Sequence, residues 1–170
     1  YRRRVEKLGL EKYKSRLGGL NARLDKISHL LSGRSTVMEI GAADGGVGLG
    51  VAAHNSLCTN HLFLFGSEEL KARYLPKLAS GEWIGAWGLT EAGAGSDAGG
   101  TKTTAVLDGD EWVLNGSKNF ITHATVGDAA VVVARTSQSG GHHGISAFFV
   151  PFDRPGVAPG NGGNGGRGAR

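Results

Sequence analysis

At Gly81 the sequence changes period, and no other feature constrains the fold as tightly. Upstream, apolar residues recur at three- and four-residue steps with charged residues between them. Downstream, short runs rich in Val, Ile, Thr and aromatics alternate with turn residues. A helix buries a stripe of period 3.6 and a strand buries alternate residues, so the two halves call for different elements. The order predicts an α+β fold: an N-terminal helical segment, then a small antiparallel β-sandwich or barrel domain.

Residues 1–81 form the helical region. From Arg3 to Leu31 the apolar positions Val5, Leu8, Leu10, Leu17, Leu20, Leu24, Ile27, Leu30 and Leu31 predict an amphipathic helix, or two joined at Gly18-Gly19. A second helical stretch is expected from about Ser35 through Leu49 to Phe65, weakened by Gly45, Gly46, Gly48 and Gly50. Ser67 reads as an N-cap with Glu68 and Glu69 in the first turn. Pro76 is placed near the first turn of a further short helix, which Gly81 ends.

Residues 82–159 form the β domain. Its expected strands lie in WIGAWGLTE, TKTTAVLDGD, EWVLNGSKNFIT, DAAVVVARTS and GISAFFVPFD. Asp108-Gly109 signals a hairpin and Asn115-Gly116 a tight turn. Strands with no helices between them argue against a parallel dinucleotide-binding sheet. Residues 160–170, GNGGNGGRGAR, have nothing to bury and are expected to be disordered.

The formal charge of +4 is unevenly placed: Tyr1 to Arg34 holds ten of the 19 Lys/Arg but three of the 15 Asp/Glu. This basic arm, residues 1–34, reads as a solvated helix face, and no nucleic-acid partner is expected. Cys58 is the only cysteine and its neighbours are apolar, so it reads as buried packing in a reducing compartment. No run approaches the roughly 20 apolar residues that span a bilayer, and no signal peptide is visible. The expected location is cytoplasmic, or the mitochondrial matrix if the source is eukaryotic.

The candidate chemistry centres on WGLTEAGAGSDAGGTKTTA, residues 87–105. GAGSDAG has one residue too many for GxGxxG and precedes a strand rather than a helix. No GxxxxGK[ST] occurs, the six histidines lack metal-ligand spacing, and His142-His143 reads as an exposed hairpin tip. Glycine and alanine let a ligand approach the backbone N–H groups closely, and Thr90 and Ser96 add hydroxyls. Glu91 and Asp97 read as residues that cap or brace the loop. The residues alone leave a ligand-binding loop and a plain surface connection both open.

The strings YLPKLASGEWIGAWGLTEAGAGSD and DGDEWVLNGSKNFIT resemble the acyl-CoA dehydrogenase family, flavoproteins that oxidise acyl-CoA thioesters. The family signature LTEPxAGSD is met at Leu89–Asp97, with Ala92 where proline is usual. NGxKxFIT matches Asn115–Thr122, and GISAFxV matches Gly144–Val150. Upstream, HNSLCTNHLFLFGSEELKARYLPKLASGE looks like the helix pair that precedes the signature. The likeness covers about residues 36–159, and the ordering of several spaced motifs makes it specific.

The resemblance implies FAD as cofactor and an α,β-dehydrogenation of acyl-CoA, as in fatty-acid β-oxidation. Thr90 matches a threonine that contacts the flavin ring, with Trp87, Gly88 and Leu89 forming the strand edge. Ser96 is similar to a serine that meets both the FAD pyrophosphate and the CoA side of the substrate. Phe120, Ile121 and Thr122 correspond to a strand along the isoalloxazine, with the Thr122 hydroxyl near N5. Read in isolation, Thr122 is an ordinary strand threonine, Trp87 a core residue and His123 a strand-end residue. Electron-transferring flavoprotein is the implied redox partner, and a dimer or tetramer the implied assembly.

In most of the family the catalytic base is a glutamate of a C-terminal helical domain, which is expected to be absent from this chain. No residue is therefore assigned as base, and no metal is implied. The arm at residues 1–34 lacks the family's P-E-x-x-G-G motif, so shifted reading frames or a fragment of a longer gene are the expected origin of the two ends. The chain then reads as the flavin- and CoA-docking half of a dehydrogenase. The alternative is a non-catalytic acyl-CoA-binding or interaction module, or an inactive truncated fragment.

Overall fold

The structure, a computed structural model, describes residues 44–138 and 141–158. The helix expected over Arg3–Leu31, the start of the next at Ser35 and the tail at 160–170 lie outside the described residues. The chain divides into two compact units, one running to Gly85 and one starting at Ala86.

In the first unit the Asp44 carboxylate accepts from the amides of Gly46 at 2.9 Å and Val47 at 3.1 Å and starts helix α1, Gly45–Ala52. The glycines do not break it. The helix continues through a wider π-helical turn, Ala53–Thr59, into α2, Asn60–Phe65. A π turn inserts one residue and rotates the following face, and this one carries three buried residues, Ala53, His54 and Cys58.

Helix α3, Glu68–Ala79, has the expected start: the Ser67 hydroxyl accepts from the Leu70 amide at 3.3 Å, with Glu68 and Glu69 in the first turn. Pro76, expected to open a separate helix, lies inside α3. Its ring forgoes one backbone bond only a turn from the helix end, where Ser80 N still donates to Pro76 O at 3.0 Å. Tyr74 and Leu78 face the core. Gly81, at φ 73°, ends the helix as expected, and Trp83 folds back over Lys77 and Tyr74.

His54 ties this unit together. The Gly85 amide donates to its Nδ1 at 2.9 Å, so Nε2 carries the proton and donates to Leu78 O at 3.1 Å. One neutral tautomer thus joins the π turn to the end of α3 and to the start of the next strand.

Among the described residues, five strands form one sheet: β1 Gly85–Gly88, which starts at the last residue of the first unit, β2 Thr104–Asp108, β3 Glu111–Asn115, β4 Ala129–Arg135 and β5 Ile145–Pro151. The β2–β3 hairpin turns at Asp108-Gly109 as expected, with Gly109 at φ 61° and Asp108 opposite Glu111. Strand β4 pairs antiparallel with β5 along its whole length, Ala129 opposite Pro151 to Arg135 opposite Ile145. It also pairs with β1 and, in parallel at Thr104 and Arg135, with β2.

Two sequence expectations are corrected here. The sheet is mixed and open, not an antiparallel sandwich or closed barrel, because β4 ends beside β2 in parallel. Strand β3 stops at Asn115, so Phe120, Ile121 and Thr122 are not in a strand. Phe120 and His123 adopt positive φ, 56° and 71°, and tight turns follow as Ala124 N bonds Ile121 O and Gly127 N bonds His123 O. A left-handed residue cannot continue a strand ladder.

Candidate functional site

The glycine-rich segment leaves β1 and is fastened immediately. Leu89 O accepts from Lys118 Nζ at 3.0 Å, and Thr90 O accepts from the Asn119 amide at 2.8 Å. These two bonds bring the LTE segment and the NGSKNFIT segment side by side. Gly88 belongs to the same junction, since a Cβ there would sit 3.5 Å from Lys118 Cγ and 3.4 Å from Val132 Cγ2. Gly116 allows the second segment its close approach: a Cβ on it would fall 2.7 Å from Thr103 Cα.

Glu91 then reverses the chain. Its amide donates to Ala94 O at 2.8 Å and its carbonyl accepts from Ala94 N at 3.2 Å, enclosing Ala92 and Gly93 in a two-residue turn. Its side chain turns inward. Oε1 accepts from Lys118 Nζ at 2.7 Å, Thr101 Oγ1 at 2.6 Å and Thr103 N at 3.0 Å, while Oε2 accepts from Lys102 N at 2.7 Å. Lys118 completes its third bond on Thr101 Oγ1 at 2.8 Å. The Lys118 and Glu91 side chains are only 9% and 8% exposed.

Burial alone would raise the Glu91 carboxyl, but the hydrogen bonds from Lys118, Thr101, Thr103 and Lys102 hold it far below the usual carboxylate range. Burial pulls the Lys118 ammonium down, opposed by Glu91. A carboxylate so fully engaged is neither a general base nor a ligand contact, and it braces the loop as its sequence context suggests. Arg135 holds the far side, donating from Nε to Thr101 O at 3.1 Å and from a terminal nitrogen to Gly99 O.

The side chains assigned to the cofactor by resemblance take no part in the hydrogen bonds of this brace. Trp87, Leu89 and Thr90 are half-buried, Gly88 is buried, and Ile121 is half-buried. Ser96 and Thr122 are exposed, and Phe120 is 93% exposed. Ser96 sits beyond the Ala94 turn and bonds to neither fastened segment. The hydroxyls of Thr90, Ser96 and Thr122 engage no hydrogen bond among the described residues, whereas every side chain of the brace is engaged.

The sequence missed Lys118, Thr101 and Arg135 as members of this site. Lys118 lies inside a motif that drew attention for its glycine and aromatic positions, and its partner is 27 residues away. The available signal was the motif NGxKxFIT itself, in which the lysine is one of the fixed positions.

Ala92 has a testable consequence. Gly93 has no positive φ, which leaves a type I-like turn with Ala92 at its second position, where proline is favoured. The Ala92 amide engages no hydrogen bond among the described residues. Ala92→Pro is expected to stabilise the chain by about 0.4–1 kcal/mol, read as a higher urea midpoint.

The sequence pattern of the acyl-CoA dehydrogenase middle domain matches residues 86–168, and that of the N-terminal domain matches residues 12–82. The chain belongs to the acyl-CoA dehydrogenase family. The matches reach beyond residues 36–159, and the N-terminal one begins within the basic arm. An acyl-CoA dehydrogenase of Bacillus subtilis is 42% identical over 84% of this chain and 36% of its own length. The butyryl-CoA dehydrogenase of Megasphaera elsdenii superimposes with a TM-score of 0.67 at 43% identity, over 71% of this chain and 32% of that one. A glutaryl-CoA dehydrogenase of Mycobacterium smegmatis, solved in complex with FADH2, gives 0.64 at 42% identity, over 71% and 30%. The chain thus spans about a third of the length of these relatives.

Proposed function

We propose that this chain supplies flavin- and CoA-docking residues of an FAD-dependent acyl-CoA dehydrogenase, an oxidoreductase acting on the CH–CH bond α,β to a thioester. The observation that carries the reading is the division of labour at the loop. Glu91, Lys118, Thr101 and Arg135 engage one another and the loop backbone, while the hydroxyls of Thr90, Ser96 and Thr122 engage no hydrogen bond among the described residues. Hydroxyl donors, small residues and an exposed aromatic form a donor set that suits an electron-rich ring edge and a pyrophosphate.

Thr90, with Trp87, Gly88 and Leu89, and Phe120, Ile121 and Thr122 would hold the flavin, with the Thr90 and Thr122 hydroxyls as its donors. Ser96 would serve the pyrophosphate and the CoA side. When bound, FAD supplies the two-electron acceptor. The chain's own residues orient both ligands and place donors where negative charge grows as the flavin is reduced. The proton-abstracting glutamate belongs to a C-terminal helical domain, electron-transferring flavoprotein takes the electrons, and the assembled enzyme is a homo-oligomer. No helix among the described residues is long and apolar enough to cross a membrane.

Reconstitution with FAD is expected to give a yellow protein whose bound-flavin absorbance survives gel filtration. A product that stays colourless after FAD addition overturns the reading.

A further inference from the structure

Lys118 is the junction of the site. Its ammonium has three hydrogens and the structure uses all three, on Leu89 O at 3.0 Å, Glu91 Oε1 at 2.7 Å and Thr101 Oγ1 at 2.8 Å. A lysine with no remaining donor does not bind phosphate or substrate. Its next residue, Asn119, donates its amide to Thr90 O at 2.8 Å, and Phe120 follows with its left-handed backbone. Fixing the Lys118 side chain on Leu89 therefore fixes the register of Thr90 against the turn that presents Phe120, Ile121 and Thr122.

We infer that Lys118 and Glu91 are a positioning pair, whose buried contact registers the Leu89-Thr90 strand end against the Asn119–Thr122 turn so that both present one ligand edge. Its value for FAD rests on the flavin reading above; the registration itself does not. Glu91 holds Lys118 in place and, through the Thr101, Lys102 and Thr103 contacts, anchors the return of the loop. Neither side chain needs to reach the ligand.

A purely structural ion pair and a positioning pair respond differently to removal of both charges. Lys118→Met leaves a buried carboxylate without its counter-charge. The double variant Glu91→Gln/Lys118→Met removes that conflict, and buried pairs replaced together often recover stability. The double variant still lacks a donor for Leu89 O, so registration stays lost.

The test uses the full chain, with urea unfolding, amide hydrogen exchange and FAD titration. The double variant is expected to unfold at a midpoint closer to wild type than Lys118→Met. Its Asn119 amide is expected to exchange roughly tenfold or more faster than in wild type, the scale of a lost hydrogen bond. The amides of the β4–β5 ladder are expected to keep their rates. FAD affinity is expected to fall by roughly the same factor and not to recover with stability.

A wild-type exchange rate at Asn119 in the double variant overturns the inference, as does acceleration spread evenly through β4 and β5. So does full recovery of FAD affinity together with stability. If wild type takes up no FAD, the flavin reading falls, and exchange at Asn119 still decides the pairing.

Discussion

Lys118→Met is expected to cost about 3–5 kcal/mol of stability, the range for a buried pair that loses one partner. The side chain is 9% exposed and makes three polar contacts, so the variant strands Leu89 O and the Glu91 carboxylate together. Methionine matches the stem of lysine, so packing changes little and the loss reports the charge and its bonds. Urea unfolding, with slopes of about 1–3 kcal/mol per molar for small proteins, reads this as a midpoint lower by a molar unit or more.

The acid limb gives a second reading of the same pair. The folded state holds Glu91 far below its ordinary value of 4.5, so folding favours the deprotonated carboxylate. The stability this contributes is complete above the unfolded value and is lost as pH falls toward the folded one. Wild type therefore loses stability as pH drops below 4.5, whereas Lys118→Met, with the folded value nearer the unfolded one, loses less over the same range. Equal acid slopes for the two proteins would contradict the assigned role of Glu91.

Gly85→Ala is the second large effect. A Cβ at Gly85 would stand 2.5 Å from Cys58 Sγ, 2.6 Å from Cys58 Cβ and 3.4 Å from His54 Nδ1. Cys58 is fully buried and lies in the π turn, so relief requires the helix to move. That movement breaks the Gly85 amide bond to His54 Nδ1 and leaves a buried ring nitrogen without its donor. Overpacking and the lost bond together are expected to cost about 2–4 kcal/mol, measured as a lower thermal midpoint. Adding Cys58→Ala is not expected to rescue the variant, because the Cys58 Cβ remains within 2.6 Å of the new methyl group.

Local chemistry is what the sequence makes readable. Ser67, Gly81 and the Asp108-Gly109 turn act within a few residues of themselves, and each stands where its capping or turn preference places it. Pro76 was misread because its missing N–H signals a helix start only when nothing else supports the helix. Here Tyr74 and Leu78, on either side of it, are buried and carry α3 through. The run into Phe120-Ile121-Thr122 was misread because β-branched and aromatic residues favour strands in general, while backbone fastening at Asn119 forces a turn at this site.

Sequence alone determined the two-part order of helices then strands, the Ser67 start and Gly81 end of α3, the Asp108-Gly109 hairpin turn, and the family whose motifs run through Leu89–Asp97, Asn115–Thr122 and Gly144–Val150. All of these are recorded in spacing along the chain. Tertiary structure decided the mixed sheet, the single tautomer of His54 and the engagement of Lys118 by Glu91, because each depends on groups 24 to 34 residues apart or more finding one another in a low-dielectric interior. There, an unmatched charge or amide costs several times what it costs in water, so the fold accepts only arrangements in which such groups are paired.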